Sequence, residues 1–372
     1  MYKNQQRADR YYHLNSELAQ IDNAHLTTLL DSSKPLTAWG NNEAIEISGT
    51  KVFVKRIPIT DVEQQNMFST ANLYDLPPYY NYGAGSVGSN VCRELVTHIK
   101  TTNWVLSGQA DFFPLLYHYR ILPFNGEHAE IKMADHDEYV TYWGSSDNIG
   151  RYMLDRANAT AELLLFLEYI PKVLSAHLDE HPEELDERLI EVRSIVDFLQ
   201  TKGMLHFDLH FWNVLTDGES LYLTDFGLLL DKNFPLQENE LAFFQATTNY
   251  DYARMLADVV VNIFVQYQRS DDEIQQQLRS KLGVSEEDNR FDKMIVPLFE
   301  NLDEIAANGP LDVPNTFLAC IDRYRGIITM TIDFMSTIGG GPQKDIPFPN
   351  EEIGQLLRDT GFVSNGAKFN KM

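Results

Sequence analysis

The 372-residue chain is short of three things, and each shortage excludes a class of protein. Cysteine occurs twice, at Cys92 and Cys320. Two thiols so far apart make neither a disulfide framework nor a structural zinc cluster, so both are expected as free, small apolar side chains of a reducing compartment. Positive charge is scarce: 30 Lys and Arg stand against 54 Asp and Glu, a formal net charge of −24. That balance disfavours nucleic acid or an anionic membrane as partner, while leaving room for a local basic pocket that takes a phosphate. Long apolar runs are missing as well. Leu256–Val265 is interrupted by Asp258 and falls far short of the ~20 residues a transmembrane span requires. The first twelve residues are polar and charged, unlike a cleaved secretion leader. A soluble, cytoplasmic protein is the expectation; a secretion signal of another kind would escape such a reading.

What is present suffices for a substantial core: 44% hydrophobic and 12% aromatic residues argue against wholesale disorder. A length prior of roughly 150 residues per domain allows two or three units. Leu14, Leu18, Ile21, Leu26 and Leu29 recur at near-helical spacing and predict an N-terminal helix or helix pair, broken at Asp31–Pro35. Ala44–Ile47 and Lys51–Ile57, around Ser48-Gly49-Thr50, predict a hairpin whose second strand ends at Pro58. Residues 59–89 are polar and rich in Gly, Pro and Tyr, so an extended insertion with little regular structure is expected. Asn90 is placed to cap a helix running through Glu94 to about Trp104. Phe113–Leu122 and Leu163–Tyr169 predict buried strands, with an acidic, partly helical insertion at 123–160 between them. Beyond Pro171 the pattern is mainly helical. The acid-rich stretch Asp179–Glu191 reads as the solvated start of a helix.

Chemistry concentrates in one segment, Leu205-His206-Phe207-Asp208-Leu209-His210-Phe211-Trp212-Asn213-Val214-Leu215, followed twelve residues beyond Asn213 by Asp225-Phe226-Gly227. An Asp, an Asn five residues on and then Asp-Phe-Gly, in this order and separation, resemble the catalytic and metal-binding loops of the protein-kinase-like superfamily. The resemblance covers roughly residues 35–265. It implies an α+β, bilobal fold: a helical extension (1–34), a small β-rich lobe of about five strands (35–168) and a larger helical lobe (169–372). It also implies transfer of the γ-phosphoryl of ATP to a hydroxyl with the help of Mg²⁺. Asp208 would orient the acceptor hydroxyl, and Asn213 with Asp225 would hold the metal. Lys55, in Val52-Phe53-Val54-Lys55, would reach the phosphates, and Glu94 would pair with Lys55. Glu168, Tyr169 and Ile170 resemble the hinge, where backbone groups of Glu168 and Ile170 would meet the adenine edge. Asp251 resembles the helix Asp that braces the catalytic loop, with a solvated helix cap as the alternative.

The chain also departs from that family. Only Trp39-Gly40-Asn41-Asn42 stands where a Gly-rich loop precedes the Lys strand, so Gly40 is the candidate there. Gly83-Ala84-Gly85-Ser86-Val87-Gly88 is a true G-x-G-x-x-G, but it follows Lys55 and no convincing strand, and reads as a flexible loop rather than a dinucleotide site. Phe53 stands where protein kinases place a small Ala; it either stacks on adenine, as in some aminoglycoside-phosphotransferase-like enzymes, or blocks the pocket. His210 replaces a Lys, Phe207 replaces an Arg, and no Ala-Pro-Glu follows Gly227, which argues against control by phosphorylation at Thr247 or Thr248. Alternating His206, Asp208 and His210 also suggest a metal hydrolase, a reading that leaves Asn213, Asp-Phe-Gly and Lys55 unexplained. The expected acceptor is Ser/Thr of a protein, with a small-molecule kinase as the alternative and a pseudokinase scaffold as the third.

Overall fold

Leu14 and Leu18, and then Leu26 and Leu30, lie four apart, so each pair projects from one face of a helix. In the computed structural model, which describes residues 2–31, 34–35, 42–124, 133–285 and 291–364, these are the buried stripes of α1 (Tyr2–Gln20) and α2 (Asn23–Asp31). They cover one face of a five-stranded antiparallel sheet of order β1-β2-β3-β5-β4, built from Lys34–Pro35, Asn42–Ile47, Thr50–Ile59, Leu116–Pro123 (β4) and Ala161–Glu168 (β5). The four leucines join Val52, Val54, Leu164 and Phe166 in one apolar cluster. Burying each such side chain contributes about 1.5–3 kcal/mol. Strand alternation turns Phe53, Lys55, Ile57 and Ile59 to the opposite face, in register with Leu167, Leu165, Leu163 and Ala161. There Val91, Cys92 and Leu95 of α4 (Val91–Leu106) pack on the sheet.

The predicted hairpin forms, with Ser48 and Gly49 both at positive φ (49° and 76°) in its two-residue turn. Its second strand does not end at Pro58. Pro58 lies inside β3, opposite Glu162 of β5, beyond the point where β2 runs out at the Asn42–Lys55 pair. Among the described residues that edge of β3 has no partner at this point, and a residue lacking an N–H is tolerated. Strand β4 begins three residues later than the sequence pattern suggests, and β5 begins two residues earlier.

The first insertion has little regular structure and the second is partly helical, as expected, and the two fold on each other. Short α3 (Asp61–Gln65) and a 3₁₀ turn at Pro78–Tyr82 come from the first; α5 (Met133–Tyr142) and α6 (Asp147–Ala157) come from the second. Tyr74, Leu76 and Tyr80 share a small core with Trp143, Ile149 and Tyr152.

After β5 the chain is mainly helical: β6 (Lys172–Val173), α7 (Leu174–Glu180), α8 (Leu185–Thr201), β7 (Met204–Leu205), β8 (Val214–Thr216), β9 (Leu221–Leu223), β10 (Leu230–Asp231), α9 (Glu238–Ala246), α10 (Tyr250–Arg269), α11 (Asp272–Leu282), α12 (Phe291–Glu300), α13 (Leu302–Asn308), α14 (Asn315–Gly340) and α15 (Asn350–Asp359). Helix α10 packs along α14, with α8 and α12 beside the pair. The acidic 179–191 stretch spans two helices and the turn between them rather than one solvated helix start. Asp179 pairs with Arg269, and Glu184 with Arg188 and His177. Both cysteines are free and buried. Among the described residues no helix is long and apolar enough to cross a membrane. The whole is α+β, as the sequence pattern implies.

Candidate active site

Lys55 leaves the α4 face of β3, and α4 is held where its first turn meets that lysine. Asn90 Oδ1 accepts the Cys92 N–H at 2.7 Å, and Glu63 Oε1 accepts the Val91 N–H at 3.0 Å, so two donors of the helix start are satisfied. Farther along, the fully buried Arg93–Glu240 ion pair (2.8 Å) ties α4 to α9, and Lys100 pairs with Asp231 of β10. Thus fixed, Glu94 Oε1 lies 2.6 Å from Lys55 Nζ. The same Nζ donates to Asp225 Oδ1 at 2.9 Å. Three residues separated by 39 and 170 positions meet at one ammonium.

Asp225 holds an unusual backbone, φ 63°, and so does Phe207 at φ 66°. Such left-handed non-glycine residues cost about 1–3 kcal/mol each and persist only where the surroundings over-determine them. For Phe207 the surroundings are explicit: its N–H and that of His206 donate to the two oxygens of buried Asp251, at 2.8 and 2.7 Å, and its ring stacks on Phe243. Asp251 therefore braces the loop from α10 and is not a solvated cap. Two turns along the same helix, Asp258 accepts the Phe211 N–H at 2.6 Å. The loop carrying Asp208 and the loop carrying Asp225 are joined by His206 Nε2 to Thr224 O (3.0 Å) and by the Thr224 N–H to Asn213 O (3.0 Å). His206 is thus a packed structural residue, and the His206–Asp208–His210 metal triad does not assemble. Among the described residues the one His/Cys/Asp/Glu group with mutually close ligand atoms is His181–Glu183–Glu184, at the turn between α7 and α8.

Asn213 Nδ2 donates to Asp208 O (2.9 Å) and Oδ2 (3.0 Å). Its own Oδ1 has no hydrogen bond among the described residues and stays available with the Asp225 carboxylate, whose side chain is 41% exposed. Two hard oxygen donors, one fully ionised, suit Mg²⁺. Burial opposes the ionisation of Asp225, but Lys55 overrides it and pulls its pKa down to about 2. Lys55 is correspondingly raised: burial would lower it, and Asp225 and Glu94 outweigh that. Asp208 lies below its ordinary range because the nearby His210, at 3.5 Å, outweighs burial and the repulsion of Asp225. His210 is raised by the same contact against its own desolvation.

Of the remaining sequence candidates, Phe53 is half-buried on the Lys55 face, opposite Leu167. Tyr169 lies under Lys51 Nζ, 3.8 Å from its ring centroid, and Ile170 is half-buried. Glu168 has its side chain and its N–H engaged within the protein. Its N–H donates to Leu115 O at 2.8 Å, so that group is not free for a ligand, and its buried carboxylate is gripped by Arg7 of α1 at 2.7–3.2 Å. Gly40 lies outside the described residues.

Sequence reasoning missed Arg7, His98 and Asp258. His98 stands one turn beyond Glu94, with Nε2 3.8 Å from its carboxylate and its ring against Phe226 (4.7 Å); the i,i+4 spacing was a readable signal. Burial lowers its pKa and keeps it neutral. Arg7 gave no local signal, since its partner is 161 positions away. No protein-family model matches the chain, and no curated protein matches it.

Proposed function

We propose that this chain is an ATP- and Mg²⁺-dependent phosphotransferase with a bilobal, protein-kinase-like arrangement. Residues 35–168 form the smaller lobe, 169–372 the larger, and 1–34 a helical extension. The observation that carries the reading is the convergence of Lys55, Glu94 and Asp225 on one ion-pair cluster beside the Asp208–Asn213 loop. Phosphoryl transfer needs positioning and charge stabilisation more than covalent chemistry. In this reading Lys55 positions the phosphates, Glu94 positions Lys55, and Asp208 orients the acceptor hydroxyl. Mg²⁺, held by Asn213 and Asp225, supplies neutralisation of the charge on the transferring group. Phe53, Tyr169 and Ile170 border the adenine. The acceptor is a hydroxyl, with Ser/Thr of a protein as the first reading. Phe53, His210 and the missing Ala-Pro-Glu favour a small-molecule acceptor as the second. The ionised and correctly paired polar groups weigh against a pseudokinase.

Thermal unfolding with ATP, with and without Mg²⁺, tests this. A ligand at 100 times its dissociation constant stabilises by about 2.7 kcal/mol. That shift is expected for the wild type only with Mg²⁺, and is lost in Asp225→Ala. Asp208→Ala is expected to keep the shift while turnover falls by about 10²–10⁴. No shift in the wild type at millimolar Mg·ATP overturns the reading.

A further inference from the structure

The motif that the sequence left without a role, Gly83–Gly88, runs between Asp208 and the backbone of Gly227. At one end, a Cβ added to Gly83 (φ 67°) would lie 2.6 Å from Asp208 Oδ1. At the other, a Cβ on Gly88 (φ 96°) would lie 3.5 Å from Gly227 O, and the adjoining Ser89 N–H donates to that oxygen at 3.1 Å. The approach at Gly83 leaves no room for a side chain, and both positive φ angles favour glycine.

The loop is not loose. Tyr142 Oη donates to Ala84 O at 2.7 Å, Tyr139 Oη donates to Gly85 O at 3.1 Å, and the Val87 N–H donates to Tyr80 Oη at 3.2 Å. In a trans peptide the N–H points opposite the C=O. With the carbonyls of Ala84 and Gly85 turned to the tyrosines, the N–H groups of Gly85 and Ser86 point away from them. Neither N–H has a hydrogen-bond partner among the described residues. Ser86 Oγ and His210 Nδ1 are also buried without partners. Successive free amides in a glycine turn form a concavity suited to an anion.

We propose that Gly83–Gly88 is the loop that holds the terminal phosphoryl group of the nucleotide, through the N–H groups of Gly85 and Ser86 and the Ser86 hydroxyl. It takes the role that the segment before Lys55 lacks the glycines to fill. The assignment rests on the phosphotransferase reading and adds a binding element to it.

Reversing charge at one loop position tests it, with Mg·ATP and adenosine as probes in calorimetric titrations of the full chain. Ser86→Asp is expected to weaken Mg·ATP by about tenfold or more, because a like charge is brought within several ångströms of the phosphates. Ser86→Lys loses the same hydroxyl but carries the opposite charge, and is expected to bind Mg·ATP at least about tenfold more tightly than Ser86→Asp, with adenosine affinity unchanged in both variants. Misfolding cannot separate two variants of one position by the sign of their charge while sparing adenosine. An unchanged ratio of Mg·ATP to adenosine affinity across all three proteins overturns the loop assignment alone. Failure of the wild type to bind Mg·ATP removes the phosphotransferase reading and the loop assignment together.

Discussion

His210 shows how a single side chain here is set by its neighbour. Desolvation favours its neutral form, yet the Asp208 carboxylate raises its pKa above the ordinary 6.5. A group whose pKa is raised on folding adds stability that is fully present below its unfolded value and is lost as the pH rises through the folded value. Denaturation of wild type and His210→Gln across a pH series is therefore expected to show a stability gap that is widest below pH 6.5 and shrinks at higher pH. A gap that does not vary with pH would mean the imidazolium–carboxylate pair is absent. Asp225 obeys the opposite sign: with its pKa depressed from 3.8 to about 2, it adds stability that is fully present above the unfolded value and is lost as the pH falls from there through about 2.

At the scale of an element, α1 is more than a cover for the sheet. Arg7, 4% exposed, binds the Glu168 carboxylate, Asp111 O (2.7 Å) and Phe113 O (2.6 Å), and its guanidinium lies 5.2 Å from the ring centroid of Tyr222 on β9. One side chain thereby joins the end of β5, the segment entering β4 and a strand of the helical part. Removing one member of a buried ion pair leaves the other charged and unpaired, at a cost of about 3–5 kcal/mol. Arg7→Met is expected to lose that much in chemical denaturation, and Arg7→Met with Glu168→Met to be markedly more stable than the sum of the two single losses. Strict additivity of the two substitutions would show that the pair is uncoupled.

At the scale of the molecule, the strained Asp208 loop is supported from α10, which also packs on α14 in the middle of the helical part. Asp251 satisfies two buried N–H groups that have no other acceptor among the described residues. Leaving a buried donor unsatisfied costs about 1–3 kcal/mol, so Asp251→Ala is expected to lower the denaturation midpoint and turnover together. Asp251→Asn, with one acceptor oxygen left, should fall between. An Asp251→Ala protein as stable as the wild type would show that the brace contributes nothing.

Much of this was already determined by local order along the chain. The i,i+4 leucines fix α1 and α2, Asn90 fixes the start of α4, Ser48-Gly49 fixes the hairpin turn, and the Asp208, Asn213 and Asp225 spacing marks the proposed site. These depend on a few adjacent residues, and their physics is local. Tertiary structure alone decided that the two insertions share an aromatic core, that Glu168 turns to Arg7, that Pro58 lies inside a strand opposite Glu162, and that Gly83–Gly88 folds between Asp208 and Gly227. Each is a contact between segments far apart in sequence, selected by which apolar faces and buried charges find partners once the chain collapses. No spacing within one segment encodes that choice.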